Sequence, residues 1–453
     1  MTLQESRLQP PQSTGTALHA AAVPDGAAEL PDAPTAFEFD VAVVGMGYVG
    51  LPTSLAFREA GYRVLGLDVS EQRLQTIRDG KADLLDGDRE RLDRALGDAQ
   101  FELSSDPARL SRAAAVVVAV PTPVDTYLVP DLSILRSACA TVVAHAVPGQ
   151  LLVLTSTTYV GSTKDLLAVP LAGRGLRPGI DVHVAFSPER INPGVDDFSQ
   201  EQVPRVVGGI TAACGQRAEL LLGKYVPKVH LVPTAEAAEM TKLLENTFRA
   251  VNIALANEFA DICGALNIPV MDVIDAADTK PFGFMRFNPG PGVGGHCIPC
   301  DPHYLLWQLR RNRLSAPVIE QAMQDIAGRP RQVVDRSRKI LSDRYQGLAG
   351  ARVLLAGVSY KPDVEDVRES PALEIIAGLL AEGATVGYTD PLIERISSKG
   401  IELESVSDPA GFAPDLVIMH TPHTAFELDW LASVPTILDT TYKLPAAANT
   451  IQL

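Results

Sequence analysis

The stretch that decides the fold is FDVAVVGMGYVGLPTSLAFREAGYRVLGLDVS, Phe39–Ser70. Its apolar run Val41–Val44 reads as a buried parallel strand and leads straight into Gly45-x-Gly47-x-x-Gly50. A helical pattern follows from Leu51 to Ala60, Gly61 stops it, and a second strand ends at Asp68. Alone, glycines at this spacing carry little weight. Between a strand and a helix, with an acid 18 residues after the last glycine, they form a dinucleotide-binding fingerprint. Gly45 permits the tight turn, Gly47 lets the backbone approach a pyrophosphate, and Gly50 lets helix and strand pack closely. The helix N-terminus, approached through Tyr48 and Val49, faces the phosphates. Asp68 would accept hydrogen bonds from the ribose hydroxyls and repel a 2′-phosphate, which favours NAD over NADP.

More strand and helix units follow. Ala113–Asp125 (AAAVVVAVPTPVD) and Gln150–Thr163 (QLLVLTSTTYVGST) each read as a strand running into a polar loop. Ligands in open α/β sheets sit beyond the carboxyl ends of strands, which places Pro121, Thr122, Ser156 and Thr157 near the cofactor. The hydroxyls among them could equally cap the next helix. Ala235–Leu266 is rich in helix formers and has no proline, which predicts one long helix spanning between domains and contributing to a subunit interface. Lys242 and Asn246, one turn apart, share a face of it. After Arg329 the pattern restarts as a second Rossmann-like unit without the glycine fingerprint, suited to a mononucleotide. Tyr360–Ser370 (YKPDVEDVRES) follows its first strand, and its Lys361 and Arg368 either bind phosphate or pair with Asp363, Glu365 and Asp366.

The bulk properties narrow the field. A chain of 453 residues needs two or three cores. A net charge of -16 gives no footing for nucleic acid or an anionic membrane surface. No apolar run reaches the roughly 18 residues of a membrane span. Five cysteines in a chain this long make no disulfide framework, which suggests a reducing cytoplasm. Residues 1–37 lack the basic start and apolar core of a signal peptide, and their Ala/Pro/Gly/Ser bias reads as a disordered extension.

The loop Asn288–Leu305, NPGPGVGGHCIPCDPHYL, raises a separate question. Its Cys297-x-x-Cys300 has three readings. Structural zinc wants four ligands, but Cys139, Cys214 and Cys263 are isolated, and adjacent His296 and Cys297 make an awkward pair. A thioredoxin-like couple wants the motif at a helix start soon after a strand, and here a Gly/Pro loop precedes it. The third reading is a nucleophilic thiol with Asp301 nearby, which together with NAD implies oxidation through a thiohemiacetal and a thioester, followed by hydrolysis.

Taken together, GMGYVGLP, VPTPVD, SPERINPG, ENTFRAVNIALANE, TKPFGFMRFNPGPGVGGHCIPCDPHYL and YKPDVEDVRESPAL resemble the UDP-glucose/GDP-mannose dehydrogenase family, in particular its UDP-N-acetylhexosamine 6-dehydrogenases. The resemblance covers residues 38–445. It implies an α/β chain with two Rossmann-like domains joined by a long central helix and a helical middle domain. The expected limits are 38–232 for NAD binding, 233–330 for the helical dimerisation domain with the cysteine loop, and 331–453 for the UDP-sugar. It further implies a four-electron oxidation of a sugar C6 alcohol to a carboxylate with two NAD, in a homodimer or larger homo-oligomer, with no metal.

By resemblance, Cys297 is the nucleophile, Lys242 and Asn246 stabilise the C6 oxyanion, and Asp301 orients Lys242 and water. Thr157 and Glu189 position the water. Lys361 binds UDP, Arg368 lies near the cofactor or a neighbouring site, and Arg190 contacts substrate. Phe287, Gly290, Gly292, Gly294 and Gly295 belong to a loop, Phe282–Gly295, that wraps the sugar and pyrophosphate. CIPCDPHYL and TKPFGF lean toward UDP-N-acetylglucosamine, a precursor of surface polysaccharide when oxidised, with UDP-N-acetylmannosamine close behind and UDP-glucose further off. A nucleotide-sugar sensor without catalysis is the alternative from another class. The chain departs from the family's pattern at Thr155–Gly161, at Arg286 (where proline is expected), in EQAMQDIAGRPRQVV, which lacks the expected Asn and Met-Pro, and in LDTTYKL.

Overall fold

The computed structural model describes residues 36–82, 84, 86–190, 202–295, 298–344 and 346–453. The expected N-terminal extension lies outside these residues except for its last two, and His296 and Cys297 lie outside them as well.

The chain is α/β, with two mainly parallel sheets and a helical middle. The first sheet contains β1 (Phe39–Val44), β2 (Val64–Leu67), β3 (Phe101–Ser104), β4 (Ala113–Val118), β5 (Leu151–Leu154), β6 (His183–Phe186), β7 (Arg205–Gly209) and β8 (Val229–Val232), in the order β3-β2-β1-β4-β5-β6-β7-β8. Every neighbouring pair is parallel except β6 and β7. Helices cover both faces, which is why the central strands are continuous apolar runs. On one face lie α1 (Gly50–Glu59), α2 (Glu71–Arg78), α3 (Asp86–Leu96) and, further along, α6 (Ala212–Leu222). On the other lie α4 (Ser133–His145), α5 (Val169–Gly173) and the start of α7 (Ala235–Leu266). Register puts Val44 beside both Leu67 and Val118, so the ends of β1, β2 and β4 share one edge of the sheet.

The predicted long helix is α7, and its 32 residues give a rod of about 48 Å. The Thr234 hydroxyl accepts from the Ala237 N–H at 3.1 Å and caps its start, and left-handed Asn267 ends it. α8 (Val270–Asp278), α9 (Asp301–Arg311) and α10 (Pro317–Ser342) pack around it. α7 has two unlike faces. Glu239, Lys242, Asn246 and Asn257 are buried on one. On the other, Met240, Leu244, Phe248, Leu255, Phe259, Ile262 and Leu266 are exposed.

The second sheet contains β9 (Arg352–Ala356), β10 (Thr385–Thr389), β13 (Leu416–Met419), β14 (Ile437–Asp439) and β15 (Thr450–Gln452), all parallel, in the order β10-β9-β13-β14-β15. α11 (Pro371–Ala381) follows β9, and β11 (Arg395–Ser398) pairs with β12 (Ile401–Glu404) as a separate hairpin. The expectation of a second Rossmann-like unit holds at the level of single atoms. Gly45 and Gly357 both follow the first strand of their sheet with positive φ, +94° and +79°. One residue on, the Met46 and Val358 amides donate to the acid that ends the second strand, Asp68 at 2.8 Å and Asp390 at 2.7 Å. The two acids differ in what else they hold. Asp390 is buried, also accepting from the Leu392 and Ile393 amides and from His423 Nε2. Burial would raise its carboxyl, but His423 and the amides outweigh that and hold it below the ordinary range.

Candidate active site

The cofactor end is built by β1, α1 and β2. A Cβ on Gly50 would lie 1.8 Å from the Gly45 carbonyl oxygen, so this glycine is consumed by helix–strand packing. A Cβ on Gly47 would meet nothing within 4 Å, so the space over it is left for something outside the chain. No side chain caps α1, whose N-cap is Val49; the Leu51 amide donates to the Gly47 carbonyl at 3.1 Å and Pro52 has no amide hydrogen, so α1 offers an anion its dipole and the turn before it. Asp68 is aimed by the Met46 and Ser70 amides at 2.8 and 2.9 Å. These residues fit NAD: pyrophosphate at the amides of the 45–50 turn, ribose at Asp68.

Across from this turn stands the second sheet. Gly47, Tyr48 and Arg73 share a cavity of about 840 Å³ with residues 365–368 and 391–395. Arg368 thus lines the same cavity as the glycine turn, and its guanidinium is paired with Asp366 at 2.7 Å. The cavity does not include Lys242, Asn246 or Asp301. Two substitutions should separate the glycine roles. Gly47→Ala is expected to raise the NAD dissociation constant at least about tenfold with no change in Tm, because only the ligand meets the new methyl. Gly50→Ala is expected to lower Tm by about 5 °C or more through overpacking. Calorimetry and NAD titration of both proteins check this.

Lys242, Asn246 and Asp301 come together where α7 meets the start of α9. All three are buried. Asn246 Nδ2 donates to Asp301 Oδ2. Burial pushes the Asp301 carboxyl up to about 6, against the pull of the Lys242 charge and the Asn246 hydrogen bond. Lys242 makes no ion pair among the described residues, so its charge acts on Asp301 through space. Asp301 also opens α9, where the helix dipole favours a negative charge.

Three further groups hold this centre in place, and sequence reasoning missed each of them. Buried Glu239 accepts from the Gly161 and Thr163 amides and from the Ser162 and Thr163 hydroxyls, at 2.5–2.9 Å. Gln308 of α9 donates to the Val160 carbonyl at 2.7 Å and accepts from its amide at 3.0 Å. The loop carrying Thr157 is thus fastened to both helices. Glu239 lies one turn before Lys242, so helical spacing was the signal that could have found it. Arg205 had no such signal. It is buried on β7 and pairs with Glu189 at 2.7 Å, so the expected water-positioning carboxylate is already bound to a cation. Arg190 bonds to the Pro204 carbonyl at 2.8 Å and to Glu245 of α7. Ser156 bridges the Val120 amide and carbonyl at 2.9 and 2.8 Å, which makes it a strut between strand ends.

The glycine loop divides in two. A Cβ on Gly292 would lie 2.9 Å from Pro371, on Gly294 2.7 Å from the Glu369 carbonyl, and on Gly295 3.0 Å from the Tyr360 ring. Their missing side chains are accounted for by contact with the segment after β9. Gly290 has nothing within 4 Å and keeps open space above it. Phe287 stands edge-on to Phe248 at 5.9 Å, on the exposed face of α7. Lys361 is half-buried, and burial together with the nearby Arg249 of α7 holds its ammonium down to about 8. An anion bound beside Lys361 would raise it again.

A dinucleotide turn on one sheet, a buried cation–carboxylate centre on the middle helices and a second nucleotide-type sheet opposite make up the class of NAD-linked oxidoreductases that act on a nucleotide-borne substrate. Comparison with known proteins carries this further. Residues 39–225 match the NAD binding domain of the UDP-glucose/GDP-mannose dehydrogenase family, 236–325 its central domain, and 354–444 its UDP binding domain. The UDP-N-acetyl-D-mannosamine dehydrogenase of Yersinia pestis is 33% identical over 411 residues, 85% of this chain and 94% of that protein. The NDP-N-acetyl-D-galactosaminuronic acid dehydrogenase of Ralstonia solanacearum is 33% identical over 400 residues, 85% and 91%. A UDP-D-ManNAc dehydrogenase structure from Pyrococcus horikoshii superposes with a TM-score of 0.83 at 28% identity, covering 91% of this chain and 98% of that one. The chain belongs to the UDP-glucose/GDP-mannose dehydrogenase family and is an NAD-dependent UDP-sugar dehydrogenase. No helix among the described residues is long and apolar enough to cross a membrane.

Proposed function

We propose that this protein oxidises the C6 alcohol of a UDP-N-acetylhexosamine to the carboxylate through a thioester on Cys297. The observation that carries the reading is the buried Lys242–Asn246–Asp301 centre at the head of α9, four residues after Cys297. NAD, held by the 45–50 turn and Asp68, supplies the hydride acceptor for both oxidations. Lys242 and Asn246 offset negative charge on the C6 oxygen in a site shielded from water. The Cys297 thiol adds to the C6 aldehyde, the resulting hemiacetal is oxidised to the thioester, and water releases acid and thiol. Asp301, titrating near neutrality, takes the proton from that water. Thr157 lies in the loop fastened by Glu239 and Gln308 and orients the water. Glu189, locked by Arg205, shapes this wall together with Arg190. Lys361 and Arg249 take the diphosphate, and Gly290 leaves room for the sugar. The work is divided among units 38–232, 233–330 and 331–453, in a cytoplasmic setting that suits the free cysteines.

Among the sugars, the names of the related proteins support a mannosamine substrate at least as well as the glucosamine suggested by CIPCDPHYL. Incubating the enzyme and NAD with UDP-GlcNAc, UDP-ManNAc and UDP-Glc tests the whole reading. The true substrate should yield two NADH per sugar. A yield of one, with free aldehyde accumulating, sinks the thioester.

The exposed face of α7 supports a dimer. Its exposed apolar residues fall at steps of 3, 4 and 7, so Leu244, Leu255 and Leu266 repeat every 11 residues, as do Phe248 and Phe259. That period is close to the natural helix repeat, so the stripe runs nearly straight and suits a second copy of α7. Leu244→Glu combined with Phe259→Glu is expected to give monomers by light scattering. An unchanged mass would remove α7 as the interface.

A further inference from the structure

Arg329 is among the largest fully buried side chains, 1% exposed, on α10 beside Pro330. It lies in EQAMQDIAGRPRQVV, a segment that departs from the family's pattern. Its Nε donates to the Gly290 carbonyl at 3.0 Å, and its Nη1 donates to Asp261 at 2.6 Å and to Gln332 at 2.7 Å. The other end of the same glycine is held as well, since the Gly290 amide donates to Asn257 Oδ1 at 2.9 Å. Asn257 and Asp261 are one turn apart on α7, further along the helix that carries Lys242. The result is a closed ring: α7 through Asn257 to the Gly290 peptide, through Arg329 of α10, and back to α7 at Asp261.

Burying a guanidinium is costly, and apolar replacements of buried ion pairs are often neutral or stabilising. Stability is therefore a poor reason for Arg329. Its geometry gives a better one. Gly290 is the one glycine of Gly290, Gly292, Gly294 and Gly295 with open space around it, and it lies seven residues before Cys297 in a loop made of glycine, proline and valine up to His296. The glycines of that loop leave it little stiffness of its own between its prolines. Clamping both polar groups of the Gly290 peptide fixes its height above α7.

We propose that Arg329, with Asn257, is a positioning residue for the reaction: it holds the Gly290 peptide so that the loop presents sugar and nucleophile in register with Lys242. Arg329 touches neither substrate nor cofactor and acts through the loop. The proposal rests on the thioester reading given above.

Arg329→Met keeps the bulk and removes the donors, Arg329→Lys keeps one donor, and Asn257→Ala releases the amide side. For each variant and the double Arg329→Met/Asn257→Ala, kcat and KM for the UDP-sugar, affinities for NAD and UDP alone, and Tm are measured. Arg329→Met should lose at least about tenfold in kcat, since small misplacements of reacting groups cost that much or more. Its Tm should fall by only a few degrees, because half-exposed Asp261 returns to water and the loss is confined to the bond to the Gly290 carbonyl, and its NAD and UDP affinities should stay within about twofold. Lysine should restore part of kcat, and the double variant should be no worse than the poorer single, because one peptide is released in both. Wild-type kcat in Arg329→Met, losses that multiply in the double, or kcat falling in step with Tm across the series would each overturn the proposal. If Arg329→Met fails to fold, the Asn257→Ala rate decides. Wild-type NADH stoichiometry reads the thioester separately, so the two failures are distinguishable.

Discussion

Cys297→Ser is expected to end net acid formation while NAD and UDP still bind. The thiol is asked to do two things that a hydroxyl does poorly: add to an aldehyde near neutral pH, and leave as a good leaving group when water attacks. The first oxidation, alcohol to aldehyde, needs no covalent bond, so a slow first NADH should persist. Steady-state turnover to acid should fall on the order of 10³-fold or more, as when other nucleophiles are removed. Mass spectrometry of the variant after incubation with substrate should reveal any ester trapped on the introduced hydroxyl. Full turnover would refute the assignment of Cys297.

Asp301→Asn should slow the reaction and stabilise the protein at the same time. The folded value of about 6 lies above the ordinary 3.8, so the folded state binds this proton more tightly than the unfolded state. The associated stability is fully present below about pH 4 and is lost as pH rises through about 6. Ionising the buried carboxyl costs up to about 3 kcal/mol. Asparagine never ionises and still accepts from Asn246, so above pH 6 the variant should exceed the wild type in stability, and near pH 4 the two should agree. Denaturant titrations at both values check the sign. The wild-type kcat profile should carry an acid limb near 6, and a surviving limb of the same position in Asp301→Asn would remove Asp301 as the proton acceptor.

How much the sequence disclosed depends on range. The β1–α1–β2 fingerprint and α7 are written in spacings of a few residues, and both appear where the pattern placed them. Nothing in the pattern marked β8, β11, β12 or β15. Each has three or four residues, and the half-exposed pattern of β8 or β11 lacks the unbroken apolar run of β1. The expected strand within Gln150–Thr163 shrinks to Leu151–Leu154, because Ser156 and Glu239 claim the residues beyond it. Side-chain partners were the least legible. Glu239 meets its donors 76–78 residues away, and Arg329 meets Gly290 39 residues away. No periodicity encodes such pairs. Of Lys361 and Arg368, ambiguous as two cations among three acids, Arg368 pairs with Asp366 once folded, while Lys361 is half-buried and feels the charge of Arg249.

Asp390 has a consequence for the order of events. Its oxygens are filled by the chain's own amides and by His423, so the second sheet imitates the cofactor turn without a vacant acid to receive a ribose. Asp390, unlike Asp68, is also covered by His423, so the second sheet is the poorer place for an oxidant. In the double oxidation proposed above, both equivalents would pass through the Asp68 side in succession, with the spent carrier replaced while the half-oxidised sugar stays in the site. On that reading the intermediate has to be fastened independently of the carrier, which is the part the proposed thioester would play.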